Sequence, residues 1–400
     1  MNRITSYVHA TGTVSEVLRH RAGDRPPSRM LAFSDIRRPV VFWNITNRCN
    51  LRCSHCYIRA GPGRQREDEL TTEEGLALID DLAGMHVPLL LFSGGEPLLR
   101  DDFWDLAGHA KGRGLTTALS TNGTLITPAV ARRLCDAGVE YVGVSLDGAT
   151  AETHDRMRNV PGSFDLALSA LRNCRSAGLK CGVRVTATQE NYTEIPDLID
   201  LSLDAGAERF CVYWLVPSGR GREGYDALQL RSREIAGLLD LLFEKAHDVD
   251  PAAMEFLTVD APQDTIYLLT KLQEEDLPRY ESMCTLLARS GVGCSAGDRV
   301  ANIDPSGTVY PCQFAQIDEL RVGSIRERPF GAIWNDPENP VLSNFRRKKD
   351  LVGGACGRCS YRDTCGGGCR VRALFESGDL RGEDPLCPLC REEPPGDGDV

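Results

Sequence analysis

Cys49, Cys53 and Cys56 stand in the run TNRCNLRCSHCY with C-x3-C-x2-C spacing. Three thiolates this close can hold three corners of a cubane iron–sulfur cluster and leave the fourth iron without a protein ligand. An open iron is a place where a small molecule can bind and react. A zinc knuckle completed by His55 is the alternative, but structural zinc sites use full four-ligand sets, and this spacing offers no natural fourth donor. A second set lies towards the other end: Cys294, Gly307 and Cys312, then Cys356, Cys359, Cys365 and Cys369, with Cys387 last. Zinc ribbons carry such C-x2-C pairs, yet these seven cysteines do not divide into whole tetrahedral sites.

The chain that must position these thiols has 400 residues, 42% of them hydrophobic, enough for one large domain and a smaller one. It carries 16 cysteines. No early stretch joins basic residues to an apolar h-region, and no run approaches the roughly 18 apolar residues of a membrane span. A cytoplasmic, reducing location is therefore expected, where clustered cysteines serve as metal ligands or catalytic groups. A net charge of −11 argues against nucleic acid or membrane as a partner.

Residues 1–39 read as a short helix and an N-terminal strap. From Val40, apolar β-rich runs alternate with helical stretches. The strand candidates are VVFWNIT (40–46), LLLFSGG (89–95), TTALSTNG (116–123), YVGVSLDG (141–148), KCGVRVTAT (180–188) and RFCVYWLVP (209–217). Strands each followed by a helix predict parallel βα units of one hand. Their tips NRC, GGEP, STNG, SLDG and PSGRG are polar or glycine-rich, and strand C-termini that converge on one rim are where barrels build active sites. The expected fold is therefore α/β: a six-stranded partial (β/α)6 TIM-like barrel over 40–230. A helical linker or lid follows over 231–283, then a cysteine-rich module over 284–391 and a disordered acidic tail over 392–400. Cys135, Cys174, Cys181 and Cys211 fall in predicted helices or strands and read as small buried hydrophobes.

CxxxCxxC at the end of a first barrel strand, followed by GGEP, resembles the radical S-adenosylmethionine (SAM) enzymes. The resemblance implies a [4Fe-4S] cluster on Cys49, Cys53 and Cys56 whose open iron binds SAM. Reduction then cleaves SAM to a 5′-deoxyadenosyl radical. The family has an aromatic residue before the third cysteine, where this chain has His55. Gly94, Gly95, Glu96 and Pro97 match the motif that contacts the SAM amino group, with Glu96 as an acceptor. Ser120, Asn122 and Ser145 match ribose and carboxylate contacts, and Arg184 is placed to reach the SAM carboxylate.

The second cysteine set resembles the SPASM extension, which binds one or two auxiliary iron–sulfur clusters. The resemblance puts Cys356, Cys359, Cys365 and Cys387 on one cluster. It puts Cys294, Cys312 and Cys369 on another, either with Cys284 as fourth ligand or open to substrate; Cys390 is unassigned. VYWLVPSGRG, FLTVDAPQD, VANIDPSGTVYPCQF and CRVRALFESGDLRGEDPLC resemble the tetrapyrrole-modifying members: the alternative heme b synthase, the didecarboxysiroheme deacetylase and the pre-heme d1 synthase. Cys312 stands where the last two carry Asp, which leans the reading to the heme b branch and oxidative decarboxylation of propionates. Arg220 and Arg222 are then candidate carboxylate clamps, and Asp260, Asp264 and Tyr213 candidate proton carriers. A peptide maturase of mycofactocin or sulfatase-maturase type is the alternative, disfavoured because the lead-in is too short for a winged-helix peptide-binding domain. A low-potential donor such as flavodoxin or ferredoxin is the implied partner.

Overall fold

Residues 2–9, 37–290 and 293–387 are described by the structure, a computed structural model. The tail 392–400, Cys390 and most of the N-terminal strap lie outside the described residues. The strands are β1 (Asn2–Arg3), β2 (Val40–Asn44), β3 (Leu90–Ser93), β4 (Thr117–Thr121), β5 (Val139–Ser145), β6 (Cys181–Ala187), β7 (Arg209–Trp214), β8 (Glu255–Val259), β9 (Val300–Ile303), β10 (Thr308–Tyr310) and β11 (Gly323–Ser324). All join one sheet in the order β1-β8-β7-β6-β5-β4-β3-β2-β9-β10-β11. The six anticipated strands are β2 to β7, adjacent in sequence order and parallel throughout.

Helices cross between these strands and bury their apolar stripes on the outer face of the sheet. The helix Thr72–Gly84 starts at a capping box, in which the Thr71 hydroxyl accepts from the Glu74 amide and the Glu74 carboxylate accepts from the Thr71 amide. Alternation along a strand divides its side chains between the two faces. On β2, Trp43 is buried in an aromatic cluster with Phe92 and, through it, Phe103, while Phe42 faces the inner cavity. Residues from every strand from β2 to β7 line that one cavity. A flat sheet cannot bring six strands around one space, so this sheet curls.

The sheet runs on past both of its anticipated edges. The segment 231–283, expected as a helical linker, holds helices Ser232–Asp248, Asp264–Glu275 and part of Leu277–Ser290, but β8 lies between the first two. β8 is parallel to β7 and pairs antiparallel with β1 on its other side. All five residues of β8 are buried, Glu255 and Thr258 among them, so no alternation of apolar and polar residues marks the strand. At the opposite edge β9 is parallel to β2, and β10 and β11 extend it as an antiparallel meander. The cysteine-rich module thus shares the sheet of the barrel.

Candidate active site

The cavity inside the strand tips encloses about 150 Å³ and is lined by Cys49, Cys53 and Cys56 together with Gly94, Gly95, Ser120, Asn122, Ser145 and Arg184. Cys49 and Cys53 are buried and Cys56 is half-buried. Burial, and then the Glu96 carboxylate, pushes the Cys49 thiol up to about 12, so a metal ion must displace its proton on binding. The Leu51 amide donates to Cys49 Sγ at 3.4 Å and Arg158 Nη1 donates to Cys53 Sγ at 3.5 Å.

The loop that carries these cysteines is held by the neighbouring strand tips. Gly95 N donates to Thr46 O at 2.7 Å and Glu96 N to Arg48 O at 2.8 Å. Gly94 sits at φ 134°, a conformation open mainly to glycine. A Cβ on Gly94 or Gly95 would lie 2.5 Å from Thr46 O or 2.2 Å from Arg48 O. The glycines therefore serve a backbone-to-backbone approach as well as lining the cavity.

Glu96 and Pro97 do not line the cavity. The Glu96 carboxylate is wholly buried and accepts from Thr121 Oγ1 at 2.8 and 2.9 Å, from the Asn122 amide at 2.9 Å and from the Leu98 amide at 3.3 Å. Burial pushes it up to about 7 despite these donors. Its donors come from the β3 and β4 tips, so the carboxylate fastens those two tips to each other. Pro97 opens the short 3-10 turn that follows. Asn122, expected as a cofactor contact, uses its amide to donate to Asn50 Oδ1 at 2.8 Å and to Cys49 Sγ at 3.8 Å.

Arg220 lines the same cavity and also grips the cysteine loop. Its Nε donates to Cys53 O and its Nη2 to Ala60 O, both at 2.8 Å, and its amide donates to Cys56 O at 2.8 Å. The PSGRG loop is a clasp on the cysteine loop, and Arg222 stacks on Phe375 with Cζ 5.1 Å from the ring centroid. Asp264 is buried, accepting from Trp214 Nε1 at 2.6 Å, and lines neither this cavity nor the larger one below it.

That larger cavity, of about 540 Å³, lies within the barrel and reaches Cys294, Cys312 and Cys369. Phe42, Arg184, Tyr213, Gln313 and Phe314 line both cavities. Arg184 donates to the Tyr213 hydroxyl, and its Cζ lies 4.8 Å from that ring's centroid. Asp260 lines the larger cavity at φ 71°, with Oδ2 buried and no hydrogen-bond partner. Cys356, Cys359, Cys365 and Cys387 surround a separate small cavity. The Gly367 and Gly368 amides donate towards Cys365, in a loop where Gly366, Gly367 and Gly368 all have left-handed φ of 70°, 86° and 78°. Cys284 borders none of these cavities and interacts with Tyr280 one helical turn away.

Residues 43–202 match the radical SAM superfamily, and residues 294–360 match SPASM, an iron–sulfur cluster-binding domain. The Fe-coproporphyrin III synthase of Methanosarcina barkeri is 40% identical, with 96% of each chain covered. The chain belongs to the radical SAM superfamily. The pre-heme d1 synthase of Dinoroseobacter shibae is 37% identical over 89% of this chain and 87% of its own. The mycofactocin maturase of Mycobacterium tuberculosis is 34% identical over 88% and 83%. Among solved structures, Streptococcus suis SuiB bound to S-adenosylmethionine shares the fold, with a TM-score of 0.69 at 19% identity over 90% of this chain and 80% of that one.

A radical SAM enzyme uses a [4Fe-4S] cluster and SAM, and its SPASM domain binds auxiliary clusters. The donor chemistry here fits the first: three thiols share one cavity wall with glycine backbone and polar strand tips. Among the described residues no three ligand-type side chains converge at the spacing of one metal ion, and a cubane holds its corner ligands wider apart than a single ion does. No described helix is long and apolar enough to cross a membrane. Sequence reasoning does not single out Asp147 or Arg158, which lie behind Cys53. Asp147 is within 2.5 Å of Arg158 Nη2 and 3.2 Å of His55 Nε2. Their only sequence signal is a charged residue in the SLDG tip.

Proposed function

We propose that this enzyme oxidatively modifies a side chain of an iron tetrapyrrole in heme-type biosynthesis, with Cys49, Cys53 and Cys56 as ligands of the SAM-cleaving cluster. One observation carries the reading: a chamber of about 540 Å³ lies between the SAM cavity and Cys294, Cys312 and Cys369. Small-molecule pockets occupy roughly 300–1,000 Å³; this one lies within that range, and its lining sets Phe42, Tyr141 and Phe314 beside the Arg184 cation, which suits a flat ring system that bears carboxylates. Two relatives similar over nearly their whole length are named for tetrapyrrole products.

Bound at the open iron, SAM supplies on reduction a 5′-deoxyadenosyl radical that takes a hydrogen atom from substrate. The side chains shared by the two cavities place that atom. Phe42 and Phe314 keep water from the boundary, and Gly94, Gly95, Ser120 and Ser145 shape the SAM side. Arg184, steadied by Tyr213, presents a cation that can receive a carboxylate from either side. Cys294, Cys312 and Cys369 hold an auxiliary cluster at the chamber wall, and Cys356, Cys359, Cys365 and Cys387 hold a second beyond it.

Asp260 is the proton acceptor in this reading, because its free oxygen borders the chamber. Burial pushes its carboxyl up to about 6, while Arg372 and Arg184 pull the other way. The ionised form is the base, so turnover rises as pH passes upward through about 6 and is lost below it. Asp260→Asn is expected to remove that limb and slow product formation by about 100-fold or more, while uncoupled 5′-deoxyadenosine formation persists. An unchanged pH profile would remove Asp260 from this role.

The mycofactocin maturase relative keeps a peptide substrate as the second reading. Anaerobic incubation with SAM and a reductant separates them, offering iron-coproporphyrin III, didecarboxysiroheme or a candidate precursor peptide, with mass analysis of each. Loss of two carboxyl groups from iron-coproporphyrin III, or formation of iron-coproporphyrin III from didecarboxysiroheme, supports the proposal and fixes the branch. A modified peptide beside two unchanged tetrapyrroles overturns it.

A further inference from the structure

We infer that Arg158, held by Asp147, is a positioning residue that sets the reduction potential of the SAM-cleaving cluster through its hydrogen bond to Cys53. The inference rests on the assignment of Cys49, Cys53 and Cys56 as that cluster's ligands. Arg158 Nη1 donates to Cys53 Sγ at 3.5 Å, while Nη2 lies 2.5 Å from Asp147 Oδ2. The cation therefore meets the sulfur through one amino group and its counter-anion through the other. Arg158 is 8% exposed and Asp147 is fully buried, so water screens neither charge well.

The arrangement is fixed from several sides. Asp147 Oδ1 accepts from the Thr186 amide on β6 at 3.0 Å, and Oδ2 lies 3.2 Å from His55 Nε2. His55 directly precedes Cys56. Behind the guanidinium, Arg158 O accepts from Arg52 N at 3.2 Å and Met157 O accepts from Ser54 N at 2.9 Å, which pins the end of helix Ala151–Arg158 to the cysteine loop. Asn159 then leaves the helix at φ 56°. Arg158 Nε is buried without a partner, and both Arg158 and His55 line the SAM cavity.

A buried ion pair alone is weak evidence of function, since many are structural. What distinguishes this one is its donor on a ligating sulfur. Hydrogen bonds to cluster sulfurs and local charge tune the potential of iron–sulfur centres. A cation at Cys53 favours the electron-richer reduced cluster, and Asp147 opposes that effect while keeping the guanidinium in place. The two residues should therefore move the potential in opposite directions.

The test is a redox titration of the reconstituted full-length enzyme, following by electron paramagnetic resonance the cluster signal that responds to SAM. Arg158→Met is expected to disfavour reduction at least tenfold, a negative shift of about 59 mV for one electron. Arg158→Lys should shift it less in the same direction, and Asp147→Asn should shift it positive. The variants that load the cluster decide. Potentials unchanged from the parent, or loss of the cluster from all three, would overturn the inference in favour of a purely structural pair. Replacing Cys49, Cys53 and Cys56 together by alanine tests the underlying assignment separately: persistence of the SAM-responsive signal would sink that assignment, whatever the Arg158 variants show.

Discussion

Cys53→Ala is expected to reduce 5′-deoxyadenosine formation to background, whereas Cys359→Ala leaves SAM cleavage largely intact and stops product formation. The contrast follows from where the two thiols stand. Cys53 shares a cavity wall with Cys49 and Cys56, beside the glycine and serine tips that shape the SAM side. Two remaining thiolates do not secure a cubane that three hold. Cys359 belongs to a separate cavity with Cys356, Cys365 and Cys387, so its loss leaves the first ligand set whole. Chromatography of 5′-deoxyadenosine alongside substrate analysis reads both effects. Full cleavage by the Cys53 variant would end the ligand assignment, and normal turnover by the Cys359 variant would end the requirement for the second auxiliary cluster.

Spacing within one loop was legible in the sequence; partnership between loops was not. Cys49, Cys53 and Cys56 could be grouped because they lie on one short turn, and β2 to β7 could be found because each couples an apolar run to a polar tip. Glu96 shows the limit. Its place in GGEP suggested a ligand contact, but whether a carboxylate faces a cavity or the next strand depends on the register of β3 against β4. Arg220 was legible as a charge in a glycine-flanked loop, but its use depends on carbonyls about 160 residues earlier. β8 was missed because five buried residues have no period to read. Asp147 and Arg158 are brought to Cys53 from a strand tip and a helix end, so no local pattern announces them.

Gly95→Ala tests the claim that the strand tips hold the cysteine loop, and it is expected to strip the first cluster from an otherwise folded protein. The added Cβ would lie 2.2 Å from Arg48 O and 2.7 Å from Arg48 C. These are backbone atoms directly before Cys49, so no side-chain rotation relieves the clash. Either β3 withdraws, breaking the Gly95–Thr46 and Glu96–Arg48 hydrogen bonds, or the Arg48–Cys49 peptide moves and takes a cluster ligand with it. Forced overpacking of this kind costs about 1–3 kcal/mol, tolerable for a chain with this large a core. Gly108→Ala is the control: it is exposed in helix Phe103–Gly112, and its added Cβ meets nothing within 4 Å. That variant should gain roughly 0.5–1 kcal/mol in helix stability and keep its iron. Iron and sulfide content with a thermal melt separates the two. If Gly95→Ala retained the parent's SAM-responsive cluster signal, the glycines would be shaping the cavity for SAM without fastening the loop, and the loss would appear in SAM affinity instead.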